Sequence, residues 1–348
     1  MLNSRPRQAR KQEADIPSAP ELLRVPAIDI GSFLSGDPAG RRRVTAQGAT
    51  ACREIGFLVI TNHGLPAKTL AGAFSRSRSF FDLPQAEKDR AHLTGPSMQR
   101  GYHGFATRGL GKTLGTDQPA DLRETVFLGP IDDFRAHYHG LPGAEAAYWP
   151  NTVPAAPEGT AEALIALYRA FEDLAADLLR IFALALDMPE DHFASRIDRH
   201  FSIMSCHHYP ALTEAPARGQ LRTGAHTYFG ALTILAMTAE KGGLEVRMQD
   251  GRWSSVVVGP GELVVNLGDM MARWTNDRWK STLHRVANPP ALRDAMSRRQ
   301  SIGYFMHPNF DAKIACFPTC RDAEADPLYP TITAGEHIAA KIEKSHEV

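Results

Sequence analysis

Beyond Phe201 the chain breaks into short apolar runs punctuated by Gly, Pro and Asp, and this texture constrains the fold more than any other feature of its 348 residues. The runs span 203–209, 232–236, 244–248, 253–258, 262–267, 283–287, 300–305 and 313–316. Eight short strands with turn residues between them predict a sandwich or jelly roll rather than a parallel sheet. Ahead of them, Leu164, Leu167, Phe171, Leu174, Leu178 and Phe182 recur at three- and four-residue steps, which predicts an amphipathic helix over 160–186. The N-terminal part reads as a short strand over 25–30, a helix over 37–55, a buried strand over 57–60 and a helix over 70–81. Residues 94–160 are rich in Gly, Pro and Asp and read as a long irregular region of the kind that often forms a functional lid. A last helix is expected over 332–344. There is no internal repeat. The predicted class is α+β, with a mostly helical N-terminal part wrapped on a β core.

Composition narrows the function. Hydrophobic residues make up 43% and charged residues 22%, the balance of an ordinary globular protein. Lys+Arg and Asp+Glu number 39 each, so the formal net charge is zero. Binding to nucleic acid through phosphate neutralisation calls for a basic protein, and that partner class is not expected. No apolar run approaches the roughly 18 residues of a membrane span, so no membrane partner is expected either. Residues 1–22 are polar, without periodicity or an apolar stretch, and read as a flexible arm rather than a secretion signal. Cys52, Cys206, Cys316 and Cys320 are too scattered for a zinc site, which points to a reduced, cytoplasmic protein.

Two of the fourteen histidines stand out. His226 lies at the mouth of the apolar run ending in Leu235, and His284 enters the run ending near Ala287. Imidazoles fixed on strand ends inside one barrel can meet in space, although a hydrogen-bonded core histidine is the commoner role for either alone. Further on, Arg299-Gln-Ser301 heads the strand that contains Phe305. A buried arginine beside a hydroxyl suits a small carboxylate, since its fork makes two parallel hydrogen bonds; alone, it would more ordinarily be a surface or ion-paired residue.

Taken in order, these features resemble the isopenicillin N synthase-like family of iron(II), 2-oxoglutarate-dependent oxygenases. The N-terminal half carries Val25-Pro-Ala-Ile-Asp29, Gly56-Phe-Leu-Val-Ile-Thr-Asn-His-Gly64 and Phe80-Phe-Asp-Leu-Pro84. The C-terminal half carries His226-Thr, Gly230-Ala-Leu-Thr-Ile-Leu235, Gly242-Gly-Leu-Glu-Val246, Gly259-Pro-Gly-Glu262 and Asn266-Leu-Gly-Asp269. Trp274-Thr-Asn-Asp277, Ser281-Thr-Leu-His-Arg-Val286 and Arg299-Gln-Ser301 complete the series. The resemblance implies a double-stranded β-helix, or distorted jelly roll, with flanking helices. It also implies iron(II), 2-oxoglutarate and dioxygen as cofactors and a small organic molecule as substrate, which is hydroxylated, desaturated or cyclised. By matching position, His226 and His284 would be iron ligands, while Arg299 and Ser301, with Tyr209, would grip the far carboxylate of the oxoacid. On this reading residues 1–22 form the arm, 23–155 an N-terminal region, 156–325 the jelly-roll core and 326–348 the C-terminal helix.

The chain departs from the pattern at one place. The family reads His-Thr-Asp where this chain reads His226-Thr227-Tyr228, so the expected carboxylate ligand is missing. Tyr228 could bind as phenolate, which needs the metal to remove a proton held near pH 10. It could swing away and leave the position to water, or a carboxylate from elsewhere could complete the site. A halide in that position suits a small residue better than a bulky ring. The change could also leave a protein that binds the oxoacid without oxidising anything, and an oxidase of the same fold that does without 2-oxoglutarate is a further alternative. A smaller departure is His207-His-Tyr-Pro210, where many relatives have Asn-x-Tyr-Pro. Alternation on a strand lets only one of His207 and His208 face the pocket, either as a polar partner or as a replacement ligand or oxoacid contact. Arg100 and Tyr102 match a segment that relatives place over the site, so they could touch substrate or simply anchor a loop. Phe305 shares the inward face of Arg299. Neither the substrate nor the oligomeric state can be read from the sequence.

Overall fold

A computed structural model describes residues 25–93, 95–111, 118–238, 243–289, 297–322 and 325–344. The arm expected over 1–22 lies outside these residues. Fourteen strands are present among them: β1 (Ala27–Asp29), β2 (Phe57–Thr61), β3 (Gly101–His103), β4 (Glu124–Leu128), β5 (Ile203–Tyr209), β6 (Thr223–His226) and β7 (Leu232–Met237). The remainder are β8 (Leu244–Arg247), β9 (Trp253–Ser255), β10 (Leu263–Leu267), β11 (His284–Val286), β12 (Arg299–Met306), β13 (Lys313–Ile314) and β14 (Ile332–Thr333).

They form an eight-stranded sheet in the order β1-β2-β10-β7-β12-β5-β4-β3, a four-stranded sheet in the order β6-β11-β8-β9, and the small pair β13-β14. Every pairing is antiparallel except β1 with β2. The large sheet takes strands from both sides of residue 155, so the N-terminal region and the jelly-roll core share one hydrogen-bonded ladder.

Two apolar layers hold the sheets. Helix Thr160–Ala185 buries the predicted stripe, including Leu164, Leu167, Phe171 and Leu178. It packs against helices Pro38–Glu54 and Ala67–Phe81 and against β7 and β12. Helix Pro38–Glu54 starts where its sequence says it should: Asp37 accepts from the Ala39 and Gly40 amides, and Pro38 occupies the first turn, where no amide hydrogen is needed. On the other side, Phe57, Val59 and Val264 of the large sheet meet Leu244 and Val246 of the small one. All seven residues of β5 are buried, as a strand covered on both faces requires.

Three expectations change. Residues 94–160 are not wholly irregular: β3 and β4 extend the large sheet at one edge. These strands are short, and β4 begins with Glu-Thr, so no apolar run announces them. His226 does not open the apolar strand β7 but ends its own strand, β6, in the small sheet. The last helix starts at Ala334, because Ile332 and Thr333 are taken up in pairing with β13.

Candidate active site

Between the two sheets lies a cavity of about 740 Å³, into which His226, His284, Tyr228, Arg299, Ser301, Tyr209 and Phe305 all open. The two histidines are direct cross-strand partners, His284 of β11 opposite His226 of β6. Their ring centroids are 4.4 Å apart. Each ring is oriented by its own strand: His226 Nδ1 contacts the Gly224 carbonyl at 2.8 Å and His284 Nδ1 the Thr282 carbonyl at 2.9 Å. A carbonyl only accepts, so Nδ1 carries the hydrogen and Nε2 keeps its lone pair. Burial, and then the neighbouring imidazole, holds the His226 pKa well below the usual histidine value; burial also lowers His284. Two neutral imidazoles with free Nε2 lone pairs side by side are suited to a cation.

Tyr228 does not join them. Its ring is buried between Gly230 and Gly268, where a side chain on either glycine would collide with it. Its hydroxyl donates to the Met306 carbonyl at 2.9 Å. Burial drives the phenol pKa well above 10, the opposite of what a phenolate ligand needs. The ring is packed against Phe305 and edge-on to His307. Nor does a carboxylate from elsewhere complete the set: among the described residues no three of His, Cys, Asp and Glu are placed to hold one metal. Asp269, next in space, accepts from Lys341 Nζ at 2.5 Å and from Thr227 Oγ1 at 3.2 Å.

His207 faces the cavity and His208 faces away, as alternation requires. His208 Nδ1 contacts Glu124 at 2.7 Å, and its Nε2 accepts from Arg298. His207 has no lone pair to offer a metal. Both of its ring nitrogens are engaged within the protein, Nδ1 with Thr125 Oγ1 (3.0 Å) and Arg123 Nη1 (3.1 Å) and Nε2 with Ser205 Oγ (2.7 Å). It is therefore a polar partner and not a replacement ligand.

The oxoacid end is built on the central strands. Arg299 and Tyr209 are paired on β12 and β5, and Ser301 pairs with His207. The Arg299 guanidinium lies 5.2 Å from the Tyr209 ring centroid, and only 2% of the residue is exposed. Its Nη2 reaches the Met237 sulfur, but Nη1 is buried without a partner. Thr233 Oγ1 and Asn266 Nδ2, on paired positions of β7 and β10, are also buried and unpaired, and both residues line the same cavity. A buried unmatched guanidinium is expensive; a carboxylate seated against these groups removes that cost. The residues thus fit 2-oxoglutarate, and they fit iron with two protein ligands instead of three.

Sequence reasoning passed over several of these groups. Thr233 and Asn266 sit inside apolar runs and look like ordinary strand residues. Arg222, just before β6, is a second buried guanidinium beside Tyr209, 5.7 Å from its ring centroid. Arg108 and Arg123 also line the cavity. Conversely, Arg100 and Tyr102 do not reach it. Arg100 is spent on the carbonyls of Trp149, Gln99 and Ala147, and Tyr102 donates to Glu124 at 2.5 Å in the core. Both anchor the loop over the site.

Comparison with known proteins places the chain in a family. The family described as the N-terminal region of non-haem dioxygenases in morphine synthesis matches residues 25–156, and the 2OG-Fe(II) oxygenase superfamily matches residues 200–308. The chain is 32% identical to the 2-oxoglutarate-Fe(II) type oxidoreductase hxnY of Emericella nidulans, over 95% of this chain and 91% of that one. It is 30% identical to validamycin A dioxygenase of Streptomyces hygroscopicus subsp. limoneus, over 91% and 85% of the two chains. Among solved structures, a full-length Neurospora crassa protein in complex with alpha-KG superposes with a TM-score of 0.80 at 28% identity, over 92% and 96% of the two chains. The chain belongs to the 2OG-Fe(II) oxygenase superfamily. It is an oxidoreductase of the 2-oxoglutarate-dependent dioxygenase class, working with iron(II), 2-oxoglutarate and dioxygen on a small organic compound.

Proposed function

We propose that the enzyme carries out this oxidation from a site with two protein ligands, His226 and His284, and that Tyr228 is a wall of the pocket rather than a ligand. The observation that carries the reading is the pair of aligned imidazoles beside the unmatched, buried Nη1 of Arg299. Arg299, Ser301 and Tyr209 take the far carboxylate of 2-oxoglutarate, with Thr233 and Asn266 completing the cradle. Iron(II), when bound, would activate dioxygen, two electrons coming from the oxidative decarboxylation of 2-oxoglutarate and the others from the metal. The chain's own part is to hold Nε2 of both histidines deprotonated, to fix the oxoacid by its far end and to line the pocket with Phe305. The seat left by the family's carboxylate falls to solvent, which supports weaker iron binding than in relatives. The family match and the shared large sheet support treating 23–155 as a cover and 156–325 as the core. All four cysteines are free thiols, which supports a reducing compartment such as the cytoplasm; among the described residues no helix is long and apolar enough to cross a membrane.

The test is release of carbon dioxide from labelled 2-oxoglutarate by anaerobically iron-loaded protein, alongside iron titration. Turnover that requires both histidines is expected, with tighter iron binding and faster turnover in Tyr228→Asp. If Tyr228→Asp changes neither, Tyr228 does not stand in for a working ligand. If wild type and Tyr228→Asp both bind the oxoacid but release no carbon dioxide, the protein is an oxoacid-binding one.

A further inference from the structure

Of the described residues lining the cavity, none is an aspartate or glutamate, whereas three are arginines: Arg299, Arg123 and Arg108. Arg299 is matched by the oxoacid on the reading above. Arg123 is matched within the protein, its Nη2 lying 3.1 Å from Asp121 Oδ2. Asp121 is itself buried and held by the Gly224 and Leu110 amides, so this pair is a fixed support. Arg108 is different. Its Nη1 donates to the Met98 carbonyl at 2.5 Å and its guanidinium lies 5.8 Å from the Phe127 ring centroid, with no carboxylate of the described residues in reach. Its pKa is lowered, by burial first and then by the positive charge of Arg123. His103, on the same wall, gives its ring nitrogen to the Arg100 carbonyl, and burial followed by Arg108 takes its pKa down to about 4. This end of the cavity therefore holds two neighbouring guanidinium groups and a neutral imidazole, with one positive charge left over.

We propose that the substrate is a small organic carboxylate, held in the cavity by Arg108 where that residue neighbours Arg123 and His103. The assignment rests on the reading that 2-oxoglutarate occupies the Arg299 end. A carboxylate here accepts from the Arg108 fork, offsets the repulsion between Arg108 and the already paired Arg123, and turns its organic portion towards Phe305 and the two histidines. A neutral amide of the same shape meets the same arginines without neutralising either.

The experiment uses full-length protein loaded anaerobically with iron and 2-oxoglutarate, titrated calorimetrically with shape-matched probes: phenylacetate against phenylacetamide, and hexanoate against hexanamide. Each acid is expected to bind at least about tenfold more tightly than its amide, the scale of one charged hydrogen bond. Arg108→Gln should bring acid and amide to parity and leave 2-oxoglutarate affinity unchanged, while Arg108→Lys keeps part of the preference. Equal affinity of acid and amide in wild type, or a preference that survives Arg108→Gln, overturns the proposal. If 2-oxoglutarate itself fails to bind, the oxoacid reading falls; a preference for the acids that Arg108→Gln removes would still support the carboxylate site.

Discussion

The two ends of the cavity are made differently. The Arg299 end stands on β5, β7, β10 and β12, central strands whose pairing is fixed residue by residue. The Arg108 wall stands on the edge strand β3 and the loop segments on either side of it, around 104–111 and 118–123, tied down by Asp121 and by single carbonyl contacts. A cosubstrate common to a family needs an unchanging seat, and a sheet interior supplies it. A substrate that differs between relatives needs a wall that can be rebuilt without disturbing the core, and loops allow that. The histidine pair stands on the small sheet and opens into the same cavity.

The sharpest way to break this division is at the metal. Replacing His226 or His284 with Ala is expected to abolish iron binding in direct titration, an effect well beyond the 10- to 100-fold cost typical of losing a supporting contact. Undiminished stoichiometry in both variants would mean that the paired imidazoles are structural.

Acid should unsettle the cavity wall. His103, on β3, and His307, just after β12, have pKa values lowered by burial, to about 4 and about 3. The unfolded chain therefore takes up protons first, below about pH 6.5, and stability falls as pH drops from there. By pH 5 each histidine accounts for roughly 2 kcal/mol of that loss. Denaturant midpoints measured between pH 7 and pH 5 check this; His307→Phe should flatten the slope, and an unchanged slope would show that the ring titrates normally.

Arg299→Lys tests the rigid end directly. Lysine keeps the charge but not the fork, so 2-oxoglutarate binding should weaken by roughly 1.5–3 kcal/mol. Arg108→Lys should leave that affinity untouched, and equal losses from both variants would erase the distinction between the ends. Smallest of all is Tyr228→Phe. It removes one hydrogen bond to a carbonyl that also accepts from the Ala231 amide, so the cost to stability is about 1 kcal/mol. Iron binding should not change, and a visible charge-transfer band lost in this variant would contradict the wall role.

What could be read ahead of the structure follows the same division. β5, β7, β10 and β12 are apolar runs bounded by turn residues, so they, His284 and Arg299 were legible from pattern and spacing. The loop end was not. Arg108 and Arg123 acquire meaning only because Asp121 orients one and, among the described residues, no carboxylate pairs with the other, and such pairing across the fold leaves no periodic trace in sequence. Arg100 misled for the matching reason: a basic residue in a segment over the site can serve backbone carbonyls as easily as a ligand. Tyr228 was visible as an exception, but its direction depends on the gap left by Gly230 and Gly268, a matter of shape rather than order.

The cross-strand placement of His226 and His284 has a consequence for how the enzyme is assembled. Ligands that sit opposite one another on adjacent antiparallel strands are spaced by main-chain hydrogen bonds, not by the ion. With an extensive apolar core of its own, the chain is expected to fold without iron, unlike small domains whose metal supplies the folding energy. On the proposed reading it would then persist in a metal-poor cell as an intact receptor, its activity following the supply of iron instead of the rate of protein synthesis.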